Sequence, residues 1–287
     1  MPSAASEERV MELGRVGVYR QTREFTPDIA VALEGLGYGA IWMGGSRLED
    51  FGLIAQMLDA TQSITVASSI VNMWRSTPAE AAVAYQRIAA EHGERFVLGV
   101  GIGHAEHNAG FARPYATMVA YLDELDAHGV PAAVRGLAAL GPRVLALAGE
   151  RTGVAIPYLT TPEHTRGARS ILGDRALLAP AQKVLLCEDP ELARSIARPS
   201  VTAPYSALGN YRASLLRQGF TEQDLADASD GLIDGLIGHG SAAAVAGRLR
   251  DHLSAGADHV SVDVIALPGE DFLAGYEVVA DQLGLSA

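Results

Sequence analysis

Two histidines, His104 and His107, follow a stretch in which glycine alternates with apolar residues, Gly99-Val100-Gly101-Ile102-Gly103. Imidazole is the side chain most readily poised between proton donor and acceptor near neutral pH, so histidines at such a place suit proton transfer. Glycines at alternate positions strip one face of a strand exit of side chains, which lets a flat ligand or another backbone approach closely. His104 stands directly beyond the last glycine and is the first candidate for a proton-handling role; His107 is the second. With Glu106 the pair could be read as metal ligands. The chain has no cysteine cluster and no HExxH, however, so a metal centre is the weaker reading and none is expected. His92, His128 and His252 fall where helices should end and read as helix C-terminal or surface residues.

The segment carrying these residues, 63–107, reads as one strand–helix–strand unit. Ile64 to Val71 is a β-branched run; Thr77-Pro78-Ala79-Glu80 combines a capping box with proline at the first helical position; Phe96 to Gly101 is again apolar and short. The same punctuation recurs along the chain. Helix starts are expected at Thr26-Pro27, Thr77-Pro78, Gly141-Pro142, Thr161-Pro162 and Asp189-Pro190. Eight strands are placed near Arg15–Arg20, Ala40–Gly44, Ile64–Val71, Phe96–Gly101, Gly136–Leu140, Val154–Leu159, Gln182–Cys187 and His259–Ile265, and a last helix at Phe272–Leu283. The first strand exits as Val18-Tyr19-Arg20-Gln21, without the GxGxxG of an open dinucleotide-binding sheet. The expectation is therefore a single domain over 1–287, a (β/α)8 TIM barrel. Residues 190–255 exceed an ordinary crossover and are read as two or three helices inserted between strands seven and eight.

Composition agrees with a soluble small-molecule enzyme. The chain has 287 residues, 48% of them apolar, and a formal charge of −12, which argues against nucleic acid and anionic membranes as partners. It has no apolar run of membrane-spanning length, and Met1–Leu13 lacks the apolar core of a signal peptide, so the cytoplasm is the expected location. The one cysteine, Cys187, lies in an apolar strand and reads as a buried structural thiol.

In a barrel the chemistry belongs at the carboxyl ends of the strands. The first five exits collect Arg20, Arg23, Arg47, Arg75 and Arg143, whereas the last two carry Glu188, Asp189, Glu191, Glu270 and Asp271. An anion should therefore bind away from strands seven and eight. The loop Ala138-Ala139-Leu140-Gly141-Pro142-Arg143 is the candidate, because the helix opening at Pro142 offers free N–H groups; the alternative is that Gly141-Pro142 only starts a helix. Tyr19, Trp74 and Tyr158 are candidates for a substrate pocket, with simple packing under a loop as the other reading of Trp74. Trp42 lies within a strand and reads as core or pocket wall.

Several of these segments together resemble the luciferase-like flavin and deazaflavin oxidoreductases, especially the group that uses coenzyme F-420. They are Gly37-Tyr38-Gly39-Ala40-Ile41-Trp42, Ser69-Ile70-Val71-Asn72, Arg95-Phe96-Val97-Leu98-Gly99-Val100-Gly101, Ala138-Ala139-Leu140-Gly141-Pro142 and Gly256-Ala257-Asp258-His259-Val260. The resemblance implies a tricyclic ring held across the strand exits, against Gly44, Ser46, Ser69, Ile70, Val71, Asn72, Gly101 and Gly103. The cofactor phosphate would lie at Ala139, Leu140, Gly141, Pro142 and Arg143. It also implies a non-proline cis peptide at Ser69-Ile70 and a homodimer. The expected activity is hydride transfer between coenzyme F-420 and a small organic substrate. FMN-dependent monooxygenation and a non-catalytic cofactor-binding protein are the alternatives. One departure bears on mechanism: related dehydrogenases carry an Asp-His pair after the tryptophan of the second strand, where this chain has Gly45 and Ser46.

Overall fold

The computed structural model describes residues 11–108 and 111–285; the start of the acidic N-terminal stretch lies outside them. Eleven strand segments, all parallel, close into a ring of eight positions. Val16–Gln21 pairs with Ala40–Gly44, which pairs with Thr65–Ser69, and the order continues through Phe96–Gly101, Arg135–Leu137 and Val154–Ala155. The seventh position is divided by Pro180 into Leu177–Leu178, against the sixth, and Ala181–Leu186, against Val260–Val264. The eighth strand then returns to the first, Val16 opposite Val260. The expected barrel is thus present, and the last helix is Phe272–Leu283.

Side chains alternate across the ring, as parallel strands require. Val18, Ile41, Met43, Val66 and Leu98 face the surrounding helices, while Trp42, Ala67, Val97, Ile156 and Ala181 fill the interior. Trp42 is wholly buried and donates its indole N–H to His259 Nε2 at 2.9 Å; His259 Nδ1 in turn lies 2.8 Å from the Gly14 carbonyl. Of the two readings of Trp42, core is the one observed. A Cβ on Gly99 would stand 1.9 Å from the Ser68 carbonyl oxygen, so here glycine admits a neighbouring backbone rather than a ligand.

Helices begin where threonine or aspartate precedes proline. Thr26, Thr77, Thr161 and Asp189 each accept a backbone N–H of their own first turn, and Thr77 with Glu80 forms the capping box. Gly141 starts its helix without a side-chain cap.

Three expectations need correction. The sixth strand is Val154–Ala155, not Val154–Leu159, because Pro157 has no N–H for the ladder; only a single bridge, Tyr158 to Ala181, follows. The fifth is Arg135–Leu137 rather than Gly136–Leu140, since the chain must turn into the helix that Gly141 caps. The insertion holds six helices, from Pro190–Ala197 to Ala242–Ser254, together with a strand, Ile237–Gly240, that adds to the upper edge of the seventh. Gly238 and Gly240 thin out the apolar alternation that would mark this strand. The third strand continues as Val71–Asn72 beyond Ser69–Ile70, whose peptide bond is cis. Cys187 is buried. His252 does end a helix but is buried rather than at the surface, held between Thr165 and Gln182. Among the described residues no helix is long and apolar enough to cross a membrane.

Burial holds two of these histidines neutral, His259 at about 4 and His252 at about 3. The unfolded chain takes up both protons near pH 6.5, so their contribution is complete above that pH and is lost as acid is added toward the folded values. Denaturant midpoints should therefore fall between about pH 6.5 and 4.5, at about 1.4 kcal/mol per pH unit for each histidine. His259→Gln should flatten that slope; an unchanged slope would show that His259 does not resist protonation.

Candidate functional site

The strand exits open into one cleft of about 740 Å³. Its floor is Ser69, Ile70, Ala138, Ile156 and Ala181, contributed by the third, fifth, sixth and seventh strands. Tyr19, Tyr158, Tyr205 and Tyr211 form one wall, and Arg47, Glu49, Arg75 and Glu80 stand on the rim. The arginines and glutamates alternate there, and Arg47 pairs with Glu49 at 3.0 Å.

The loop after the fourth strand supplies the histidines. Gly103 has φ +65°, and a Cβ there would lie 2.6 Å from the Asn72 amide nitrogen, so both the turn and the close contact call for glycine. Asn72 donates to Asn108 Oδ1 at 3.1 Å, and Asn108 donates to the His104 carbonyl at 2.6 Å, which fixes the loop against the third strand. His104 Nδ1 lies 3.0 Å from Asn210 Oδ1. With that oxygen as acceptor Nδ1 carries the proton, and Nε2 keeps its lone pair. Burial lowers the His104 pKa, with Asn210 acting against it, so the ring is neutral at pH 7 and able to take a proton. Two residues on, Glu106 accepts the Gly209 N–H at 2.9 Å at the start of helix Gly209–Arg217, which has no side-chain cap of its own. That N–H holds the exposed Glu106 carboxyl below the usual carboxylate range. His104 and Glu106 thus clasp the insertion over the cleft.

Beneath the aromatic wall, Tyr158 donates its hydroxyl proton to Asp263 Oδ2 at 3.0 Å, and Lys183 Nζ lies 2.9 Å from the same oxygen. Lys183 and Asp263 are register partners on the seventh and eighth strands.

Nine of the sequence-derived candidates line the cleft: His104, His107, Ser46, Ser69, Ile70, Asn72, Gly103, Tyr19 and Tyr158. Ser46 is buried, and its hydroxyl donates to the Met43 carbonyl. The other candidates stand behind this surface or beside it. Gly44 backs Tyr19, Gly101 is covered by Ile70 and Ala138, and Val71 and Ala139 are buried. Leu140, Gly141, Pro142 and Arg143 lead from Ala138 into their helix, with the Arg143 guanidinium over the Tyr115 ring at 4.3 Å. Trp74 packs against Phe111 with centroids 5.5 Å apart and lines a neighbouring groove. Arg20 turns away from the cleft to Glu24 and to the Phe272 ring.

Sequence reasoning missed Tyr205, Tyr211, Asn210, Arg217, Lys183 and Asp263. Lys183 and Asp263 had a signal, since each is a lone charge inside an apolar strand, Ala181–Leu186 and Val260–Val264. The insertion residues had none beyond being aromatic or polar in a long connection. Arg217 reaches the start of the helix at Pro142: a Cβ on Gly141 would lie 3.5 Å from Arg217 Nη2.

Loss of the clasp should loosen the insertion without unfolding the barrel. Hydrogen exchange on Glu106→Ala should show the amides of 205–211 exchanging about five- to tenfold faster, with the strands unchanged. Equal exchange in variant and parent would mean that the clasp does not hold the insertion.

Residues 10–127 match the family model for luciferase-like monooxygenase. No curated protein matches the chain by sequence. Among solved structures the chain is similar to an F-420-dependent secondary alcohol dehydrogenase in complex with an F-420–acetone adduct, at 13% identity and TM-score 0.69, covering 95% of this chain and 99% of that one. It is similar also to the coenzyme F-420-dependent tetrahydromethanopterin reductase from Methanopyrus kandleri, at 15% identity and TM-score 0.67, covering 94% and 98%. A third is the FMN complex of the oxygenating constituent of 3,6-diketocamphane monooxygenase, a type II Baeyer–Villiger monooxygenase from Pseudomonas putida, at 13% and 0.67, covering 94% and 97%. The sequence match is thus to residues 10–127, and over the rest of the barrel the likeness is one of fold.

Proposed function

We propose that this protein is an oxidoreductase that binds the deazaflavin coenzyme F-420 in the cleft and exchanges hydride with a small organic substrate. The observation that carries the reading is a cleft of about 740 Å³ whose floor holds apolar Ile70, Ala138 and Ile156, bordered by polar Ser69 and Asn72 and faced by a neutral histidine. A planar tricyclic ring with polar edges fits that chemistry. Arg75 stands on the rim with no ion-pair partner among the described residues, which favours a cofactor with an acidic tail over FMN. The uncapped helix start at Gly141, with Arg217 beside it, suits a phosphate. Bound there, the cofactor supplies the hydride chemistry; the protein supplies orientation and the proton. His104 Nε2 is the group able to accept or return that proton, its ring aligned by Asn210.

One observation favours a second reading, FMN-dependent monooxygenation. Ser46, where related dehydrogenases carry a histidine, commits its hydroxyl to the Met43 carbonyl and cannot serve as a base.

Parallel titrations with coenzyme F-420 and FMN, followed by ring fluorescence at low and physiological salt, separate the two. Tighter binding of F-420, weakening as salt rises, is expected, and equal or tighter binding of FMN would overturn the cofactor assignment. His104→Ala should slow single-turnover oxidation of reduced cofactor about 100-fold while leaving its affinity nearly unchanged. If the variant keeps the parent rate and pH profile, His104 is only a wall of the pocket.

A further inference from the structure

Four phenols gather on one side of the cleft, and their rings form a connected chain. Centroids are 4.9 Å apart for Tyr19 and Tyr158, 5.4 Å for Tyr158 and Tyr205, and 4.8 Å for Tyr205 and Tyr211. Phenylalanine would pack as well at each place, so the hydroxyls need their own account. Tyr158 gives its proton to Asp263, whose charge is matched by Lys183. Among the described residues the hydroxyl of Tyr205 has that of Tyr158 beside it, that of Tyr19 has the Gln21 side chain, and that of Tyr211 has no hydrogen-bond partner. All three residues line the cleft.

We propose that Tyr19, Tyr205 and Tyr211 form a donor subsite for an uncharged oxygen of the substrate, held in place by the Tyr158–Asp263–Lys183 chain. An oxygen with two lone pairs can accept from more than one of these donors. An anion is disfavoured, because Asp263 already consumes the one cation beneath the wall and presents a carboxylate. Burial, with neighbouring phenols and Asp263 adding to it, keeps Tyr19 well above the usual phenol range, so it remains a donor at neutral pH. Asp263 and Lys183 act as positioning residues: they fix Tyr158, against which Tyr19 and Tyr205 pack. That the subsite serves a substrate rests on the reading of the cleft given above; that it binds such an oxygen does not.

Three probes of similar size test the proposal on the whole chain: acetophenone, ethylbenzene, which lacks the oxygen, and benzoate, which carries a charge. Their affinities are measured by calorimetry, alone and with F-420 or FMN present. Acetophenone should bind about tenfold tighter than either of the others. Tyr205→Phe and Tyr211→Phe should each remove most of that preference and leave ethylbenzene unchanged. Asp263→Asn retains an acceptor for Tyr158 but frees Lys183, and should improve benzoate binding about tenfold. Equal affinities for acetophenone and ethylbenzene, or a preference that survives both phenylalanine variants, would overturn the proposal even if Asp263→Asn failed to fold. If a cofactor binds and the preference is absent, the subsite alone falls; if the preference is present and neither cofactor binds, the reading of the cleft falls instead.

Discussion

A ring of eight parallel strands encloses a space only as wide as the side chains that fill it, and every other feature follows from how this chain fills it. Bulk comes from Trp42, Ile156 and His259, and room for that bulk comes from Gly17, Gly99 and Gly136. The fit is mutual: a Cβ on Gly17 would lie 2.6 Å from His259, and one on Gly136 would lie 2.5 Å from Ile156. The polar atoms buried with the aromatic ring are satisfied internally, the indole by the imidazole and the imidazole by a backbone carbonyl. A plug of this kind closes the lower barrel and leaves the upper mouth as the one place where strand exits can face a ligand.

The same constraint explains how much could be read from the sequence. Strands and helix starts were legible because their signals are local: β-branched runs, and threonine or aspartate before proline, as at Thr77-Pro78 and Asp189-Pro190. Departures came where local signals conflict with the ladder. Pro157 ends the sixth strand early, and glycines conceal the strand Ile237–Gly240 within the insertion. For the site, the floor and the histidine loop were legible from glycine spacing and from the likeness of Ser69-Ile70-Val71-Asn72 to known segments. The aromatic wall was not. Tyr205 and Tyr211 reach the cleft only because the insertion folds back over the mouth, and nothing in their own neighbourhood announces that return.

Charge is distributed with similar economy. Of the arginines at the first five exits, Arg20 and Arg143 are engaged with neighbouring aromatic rings, Arg47 is paired with Glu49 on the rim, and Arg75 stands on the rim as well. Below them the cleft is lined by neutral groups, and the Lys183–Asp263 pair beneath the wall cancels internally. Charges of both signs are thus held on the rim and kept from the floor.

The contact between Glu106 and Gly209 joins residues 103 positions apart in the chain. It makes the histidine loop and the insertion one mechanical unit, although they arise from opposite halves of the sequence. The contact between His104 and Asn210 crosses the same seam. The His104 ring is therefore oriented by a residue of the insertion, so a side chain of the first half of the chain takes its alignment from the second.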